Sequence, residues 1–126
     1  MTPYHLQAAI AAVHARVAIT GERTAWPEIL ALYDQLIARA PSPIVALNRA
    51  VAVARVKGPA AGLAALAAID GRDALDTYYL LPAVEGQLWM ELGEHERAAD
   101  AFRDALARPC SEPERRFLQR KLDGLT

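Results

Sequence analysis

The stretch that decides the fold runs from Tyr79 to Ala107 and reads YLLPAVEGQLWMELGEHERAADAFRDALA. Gly93 divides it into two segments whose apolar residues recur every three or four positions, the period of an α-helix that packs on one side. Small and aromatic residues occur at fixed places, namely Gly86, Trp89, Ala98, Phe102 and Ala105. Small side chains let two helices approach closely, and large ones fill the space beside them. The stretch therefore predicts a helix hairpin.

A similar arrangement occurs earlier in the chain. There Ala50, Gly58, Gly62 and Leu66 take the roles of Gly86, Gly93 or Glu94, Ala98 and Phe102. The pattern resembles the tetratricopeptide (TPR) repeat, in which consecutive helix pairs stack and cover each other's apolar faces. Residues 29–41 resemble the second helix of such a unit, with Tyr33 in the aromatic place. Glu85 departs from the pattern, because a large apolar residue is usual there.

Helix start and stop signals divide the whole chain into about seven helices. Proline just inside a start and glycine just past an end are the clearest of these signals. The predicted starts are Thr2–Pro3, Trp26–Pro27, Ser42–Pro43, Pro59, Asp73 or Asp76, Glu94 and Ser111–Glu112. The predicted ends of the first six helices are Gly21, Ala40–Pro41, Lys57–Gly58, Asp70–Gly71, Leu92–Gly93 and Ala107. We therefore expect an all-α, TPR-like antiparallel helix-hairpin stack (an α-α superhelix) that forms a single domain over residues 1–126.

Two segments leave an alternative open. Val51 and Val53 partly alternate with their neighbours, as in a strand, but the length of the segment and its end signals favour a helix. Pro82 lies inside the fifth predicted helix and belongs either to its first turn or to a kink. The expected inward residues are Leu80, Leu81, Val84, Leu88 and Leu92 in the fifth helix and Phe117, Leu118 and Leu122 in the last.

The charge balance argues against direct binding of nucleic acid. The chain has 14 basic and 15 acidic residues and a formal net charge of -1, so it has no basic excess for phosphate. The most apolar window, residues 44–56, is too short and too charged to span a membrane. With one cysteine, Cys110, no internal disulfide can form, which is typical of a reducing compartment. We therefore expect a cytoplasmic protein without a membrane partner.

The candidate binding residues follow from the expected stack. In such stacks the first helix of each pair lines a concave face that binds peptides or protein segments, here through Leu47, Val51, Arg55, Ala83, Gln87 and Glu91. Of Tyr78 and Tyr79, one ring is expected inside and one on the surface. Asn48 is unusual in an apolar helix, where it is explained by a hydrogen bond to a loop or by a partner. The residues selected for partner binding are His14, Asn48, Arg55, Tyr79, Gln87 and Glu91.

No catalytic constellation is apparent. The histidines His5, His14 and His95 do not combine with one another, with Cys110 or with carboxylates at a metal-ligand spacing. There is no glycine-rich phosphate loop and no Ser-His-Asp set. We therefore predict neither an enzyme nor a cofactor or metal site. The alternative is a small helical enzyme that uses His14 or Cys110.

The ordered segments resemble a specific family. They are Tyr4–Ala15 (YHLQAAIAAVHA), Trp26–Leu36, Pro41–Ala52 (PSPIVALNRAVA), Gly58–Leu63, Tyr79–Gly93 and Glu114–Leu118 (ERRFL). Together they are similar to the C-terminal, TPR-like extension of one group of extracytoplasmic-function RNA polymerase sigma factors. The resemblance covers nearly the whole chain. His5 stands where glutamine is common in that group, and Pro82 where histidine is common.

The resemblance implies a regulatory role in transcription initiation. In that group two sigma regions that bind DNA and polymerase precede the extension, so we expect this chain to be the C-terminal part of a longer sigma factor. Its expected partners are RNA polymerase and the sigma regions of the parent chain, with DNA bound only through those regions. A small protein of the DGPF/YCII-related type is a further candidate partner. The alternative is a generic TPR-like adaptor that is unrelated to transcription.

Overall fold

A computed structural model describes residues 26–125, and all the regular secondary structure among them is helical. The elements are α1 (Trp26–Arg39), α2 (Pro43–Lys57), α3 (Pro59–Ala67), a 3-10 helix (Arg72–Leu75), α4 (Leu80–Glu91), α5 (His95–Leu106) and α6 (Glu112–Asp123). The chain divides into two compact units, Met1–Asp70 and Gly71–Thr126. The all-α prediction is confirmed. The helix predicted to begin at Thr2–Pro3 lies outside the described residues.

In the first unit, α2 packs against both α1 and α3. The core combines four residues of α1 with two of α2, namely Ile29, Leu30, Tyr33, Leu36, Ala52 and Val53. A single residue, Gly58, joins α2 to α3, and its φ of 105° is one that glycine adopts without strain. Pro59 then begins α3 at a position where its missing N–H costs no hydrogen bond. The segment around Val51 is continuous helix, so the helical alternative was right.

In the second unit, α4 and α5 form the hairpin that the sequence predicts. Ala98, Phe102 and Ala105 of α5 are fully buried. Gly86 of α4 is buried where α5 crosses it, and a Cβ built on Gly86 would lie 2.9 Å from two ring carbons of Phe102. The interhelical distance therefore depends on this glycine.

The last helix, α6, begins with a capping box and packs on α5. The Ser111 hydroxyl accepts a hydrogen bond from the Glu114 N–H at 3.3 Å, and the Glu114 carboxylate accepts one from the Ser111 N–H at 2.8 Å. Two N–H groups that the helix cannot satisfy internally are thus bonded. Leu118 is the α6 residue that enters the core formed with Ala98, Phe102 and Ala105.

The start of the fifth predicted helix was wrong. The segment after Asp73 is a 3-10 helix followed by a turn, and α4 begins only at Leu80. A helix from Asp73 or Asp76 would place Pro82 in its interior, where a proline costs about 3 kcal/mol. Starting at Leu80 puts Pro82 in the first turn, where it is buried. Leu92, expected to point inward, is 41% exposed because it caps the end of α4.

Arg108 ties this turn to the end of α5. Its guanidinium donates hydrogen bonds to the carbonyl oxygens of Leu75 at 2.9 Å and Tyr78 at 3.0 Å, and to the Asp104 carboxylate at 3.3 Å. Each carbonyl also accepts a backbone N–H, that of Tyr78 at 3.0 Å for Leu75 and that of Leu81 at 3.4 Å for Tyr78. Arg108 therefore adds long-range hydrogen bonds that tie the segment between the 3-10 helix and α4 to the end of α5.

Candidate functional site

An apolar groove of about 270 Å³ lies on the second unit, between the start of α4 and the start of α6. Its lining residues are Tyr79, Leu80, Ala83, Pro113, Glu114, Phe117 and Leu118. The polar side-chain atoms at its wall are the Tyr79 hydroxyl and the Glu114 carboxylate. Leu118 closes the floor, because it is almost fully buried against α5. This groove is the candidate binding site.

Phe117 is the largest exposed side chain of the groove. The sequence predicts that Phe117, Leu118 and Leu122 are all inward, but Phe117 is 50% exposed. Neighbouring residues of a helix point about 100° apart, so with Leu118 directed at α5, Phe117 lies at the edge of this contact. The Lys121 ammonium lies 5.5 Å from the centre of the Phe117 ring and covers part of it. An aromatic ring left in water beside other apolar residues is typical of a binding surface.

Tyr79 and Glu114 are the two polar lining residues of the groove, and each shifts the pKa of the other. Burial, followed by the hydrogen bond to Glu114 and the charge of that carboxylate, raises the pKa of Tyr79 to about 12. The Ser111 N–H, with help from the hydroxyls of Tyr79 and Ser111, lowers the pKa of Glu114. At neutral pH the tyrosine is therefore neutral and the carboxylate is ionised.

Tyr79, together with Ala83, is a sequence-predicted binding residue that the structure places in the groove. Its ring meets that of Tyr78 edge to face, with centroids 5.9 Å apart and planes at 83°. Both tyrosines are half-buried, so the expectation of one inner and one surface ring was wrong. The reason is that both belong to the turn before α4, where the helical alternation of faces does not apply.

The basic residues of α6 surround Phe117 unevenly. Arg120 and Lys121 lie one turn after Phe117, and Arg116 lies beside it in the sequence. Arg115 points elsewhere, since its guanidinium donates to the Leu106 carbonyl oxygen at 3.1 Å. Among residues 26–125, no carboxylate forms an ion pair with Arg116 or Arg120, both of which are exposed. Beside Phe117, α6 therefore carries three basic residues just outside the lining of the groove, whereas the charged residue of the lining itself is Glu114.

Gln87 and Glu91 contact each other on α4. The Gln87 amide donates a hydrogen bond of 2.9 Å to the Glu91 carboxylate one turn later. Gln87 is half-buried and Glu91 is exposed. The two residues share a helix face, as the repeat pattern predicts. They are not among the residues that line the groove.

Asn48 and Arg55 lie in the first unit, on α2. Asn48 is half-buried and Arg55 is exposed, and their spacing of seven residues places them on one face of the helix. Leu47, expected on an open binding face, is fully buried, because it belongs to the core side of α2. Arg49 next to Asn48 forms an ion pair of 2.6 Å with Asp34 of α1. Arg49 thus has a structural role that the sequence does not reveal.

The candidates for chemistry are not assembled into a site. His14 lies outside the described residues. Cys110 is a free, half-buried cysteine between α5 and α6. Within residues 26–125, no group of three His, Cys, Asp or Glu side chains is placed to hold a metal ion. In the same part of the chain, no helix is long and apolar enough to cross a membrane.

Sequence reasoning missed the groove and the placement of Arg116, Arg120 and Lys121 beside it. It identified the basic residues of α6, but not their position around an exposed ring. The available signal was the pair Phe117–Leu118, because adjacent residues of a helix point about 100° apart, so one of the two can lie at the edge of the contact with a single neighbour. Arg108 was missed because its partners are backbone carbonyls, which carry no sequence signature.

Comparison with known proteins adds one relative. The chain is 42% identical over 123 residues, 98% of its length, to the uncharacterized protein R00370 of Rhizobium meliloti (strain 1021). The chain spans 28% of the length of that protein. No family profile matches the chain, and no solved structure matches it.

Proposed function

We propose that this chain is a protein-binding, regulatory domain of an extracytoplasmic-function RNA polymerase sigma factor. In this role it acts in transcription initiation without binding DNA itself. Its partners are the sigma regions of the parent chain, RNA polymerase or a small partner protein, for which the DGPF/YCII-related type is the candidate. The proposal places the chain in the cytoplasm and assigns it no enzymatic activity and no cofactor.

The exposed apolar groove between α4 and α6 carries the protein-binding part of this proposal. An aromatic ring that is 50% exposed, beside buried Leu118 and half-buried Leu80, offers apolar area that water solvates poorly. Of the polar groups in the wall, the Glu114 carboxylate already accepts the Ser111 N–H at 2.8 Å. A partner that covers the groove with apolar side chains therefore loses no hydrogen bond.

The sequence resemblance supports the transcription part. It follows an ordered set of segments along nearly the whole chain, and the helix-pair arrangement within each unit agrees with the TPR-like extension of that sigma-factor group. The Rhizobium meliloti relative supports a place in a larger protein, because this chain matches 28% of its length. The groove alone supports a general TPR-like adaptor equally well. The reading frame around the gene distinguishes the two, since sigma regions before this segment favour transcription.

The test is reconstituted transcription with the longer protein that carries this chain. We expect deletion of residues 1–126 to change promoter-dependent transcription or its response to a partner protein. Phe117→Ala should reproduce part of that change, because it removes the exposed ring of the groove. Leu92→Ala, which truncates an exposed side chain outside the groove, is the matched control. Transcription and regulation that are the same with and without residues 1–126 would refute the proposal.

A further inference from the structure

We propose that the groove between α4 and α6 binds an acidic amphipathic helix of a partner protein. This inference rests on the proposed protein-binding function and adds the chemical nature of the partner. The partner helix would place apolar side chains in the groove and carboxylates against Arg116, Arg120 and Lys121. These three residues are called the cationic rim below.

The wall of the groove determines that the inserted groups are apolar. Apart from the Tyr79 hydroxyl and the Glu114 carboxylate, the side chains that line the groove are apolar, and Glu114 already accepts the Ser111 N–H. A polar group that displaced this N–H would exchange one hydrogen bond for another, which gives little net free energy. An apolar group removes the Phe117 ring and the Leu80 side chain from water without such an exchange.

The size of the groove favours a protein segment over a small molecule. Its volume of about 270 Å³ is at or below the lower limit of clefts that enclose drug-sized ligands, which is roughly 300 Å³. Along α6 the lining runs from Pro113 to Leu118, a rise of about 8 Å. Two apolar side chains one helical turn apart, separated by about 5.4 Å, fit within that length. An amphipathic helix lying in a groove between two helices presents its anchors with this spacing.

The charged residues near Phe117 determine the charge expected of the partner. Phe117 has Arg120 and Lys121 one turn after it, and Arg116 and Arg120 have no ion pair among the described residues. Other carboxylates of α6 are engaged, since Glu114 is bonded to Ser111 and Asp123 accepts a hydrogen bond from Gln119 at 2.9 Å. Glu112 is exposed one turn before Arg116 and reduces the positive charge only at that end. Carboxylates beside the anchors would meet the cationic rim, which favours an acidic partner over a basic one.

The experiment measures binding of three labelled synthetic peptides to the whole 126-residue chain by fluorescence anisotropy. The first peptide is a helix with leucines at i and i+4, the two anchors that the groove can take, and glutamates beside them. The second keeps the leucines and replaces the glutamates by lysines. The third keeps the glutamates and replaces the leucines by alanines. We expect the first to bind about tenfold more tightly than either other peptide, and less tightly as salt rises.

Variants locate the binding at the groove. Phe117→Ala should lower the affinity for the first peptide by about tenfold or more. The double variant Arg116→Glu, Arg120→Glu should bind the first peptide more weakly and the lysine peptide more tightly. Leu92→Ala and Arg103→Glu, an exposed apolar and an exposed basic residue outside the groove, are the matched controls and should change neither. Shifts of the Tyr79 and Phe117 ring resonances in the unmodified chain test the same site without any substitution.

Several results would overturn the inference. If the lysine peptide binds as tightly as the first peptide or more tightly, the cationic rim has no role. If the alanine peptide binds as tightly as the first peptide, or Phe117→Ala binds the first peptide as tightly as the unmodified chain does, the groove is not the binding site. Binding to phosphatidylglycerol vesicles but not to the first peptide would indicate a membrane surface. A dimer in sedimentation that is lost in Phe117→Ala would indicate a second copy as the occupant.

The two proposals fail separately. If deletion of residues 1–126 changes transcription but no peptide binds, the chemical nature of the partner is wrong and the regulatory function stands. If the acidic peptide binds at the groove but transcription does not depend on residues 1–126, the sigma-factor assignment is wrong and the acidic-helix site stands.

Discussion

At the scale of single residues, Gly86 has the clearest energetic role. A methyl group there would lie 2.9 Å from the Phe102 ring, which is 1% exposed and has no free space into which to move. Overpacking of this kind costs about 1–3 kcal/mol, and the better helix propensity of alanine returns about 1 kcal/mol. We expect Gly86→Ala to lower the free energy of unfolding by about 1 kcal/mol, measured by urea denaturation.

Two further variants test this cause. Gly124→Ala is the matched control, because a Cβ there meets carbonyl oxygens at an ordinary 3.5 Å, and we expect it to be neutral or slightly stabilising. Adding Phe102→Leu to Gly86→Ala should cost less than the sum of the two single substitutions, because the smaller side chain leaves room for the methyl group. Additive effects would contradict the proposed clash.

Glu114 makes the stability of the chain depend on acid. The pKa of its carboxyl is lowered from 4.5 in the folded chain, first by the Ser111 N–H, so its ionised form stabilises the fold. This contribution is complete above the unfolded value of 4.5 and is lost as the pH falls through the lower folded value. We expect the melting temperature of Glu114→Gln to lie below that of the unmodified chain at pH 7 and the two to converge in acid.

The control for this acid dependence is Glu112→Gln, which removes a carboxylate from the same turn but leaves the capping box intact. Because Glu114 is still present in Glu112→Gln, the melting temperature of this variant should fall in acid as that of the unmodified chain does. That of Glu114→Gln should fall less. A constant difference in melting temperature between Glu114→Gln and the unmodified chain across this pH range would contradict the assignment.

Much of the residue-level packing was accessible from the sequence. The roles of Gly86, Ala98 and Phe102 follow from their spacing, because small and large residues at an interhelical crossing have few alternatives. The exposure of Phe117 did not follow, since periodicity gives the apolar face of a helix but not how many neighbours cover it. Leu47 shows the opposite error, as a residue assigned to an open face lies in the core.

At the scale of elements, Arg108 holds the segment between the 3-10 helix and α4. We expect Arg108→Ala to lower the free energy of unfolding by about 1–3 kcal/mol, because the carbonyls of Leu75 and Tyr78 lose hydrogen bonds from a charged donor, although each keeps one from a backbone N–H. Arg108→Lys should recover part of this loss, since an ammonium can reach one carbonyl but lacks the planar fork. Hydrogen exchange of residues 72–79 should accelerate in Arg108→Ala.

The matched control for Arg108 is Arg103→Ala. Arg103 pairs with Asp100 at 3.1 Å, and both side chains are mostly exposed. Surface pairs of this kind contribute about 0–1 kcal/mol, so a small effect is expected. An equally small effect of Arg108→Ala would show that the turn holds without the guanidinium.

The element boundaries illustrate what local signals can achieve. Ser42–Pro43, Gly58–Pro59 and Ser111–Glu112 mark helix starts because the capping chemistry lies within a few residues of each start. The segment after Gly71 was misassigned, because its conformation depends on Arg108, which follows it by about thirty residues. Interactions at that separation are invisible to any short sequence window.

At the scale of the whole molecule, the near-zero net charge is relevant to the proposal that the sigma regions, and not this chain, bind DNA. With 14 basic and 15 acidic residues, the chain offers few phosphate contacts, and counterion release contributes little. We expect no binding of a labelled promoter duplex at about 150 mM salt, measured by fluorescence anisotropy. The longer protein is the positive control, since the proposal assigns promoter binding to its sigma regions. Binding by the 126-residue chain with a steep salt dependence would contradict this prediction.

The division into two units was not predictable, although its position was marked. Asp70 and Gly71 read as a helix end, like several other pairs in the chain. Which helix end also separates two cores depends on long-range packing, and the sequence contains no direct record of that. Helix number and type were therefore predictable, whereas the grouping of helices was not.

The bond between Arg108 and the turn has a consequence during protein synthesis. The ribosome adds residues from the N-terminus, so the carbonyls of Leu75 and Tyr78 emerge about thirty residues before the guanidinium that bonds them. Until then the nascent 3-10 segment has no donor from Arg108, and α4 has no completed α5 to pack against. The local backbone bonds of the turn can form earlier, but its attachment to the end of α5 can form only after Arg108 has left the exit tunnel, which makes that attachment a late step of folding on the ribosome.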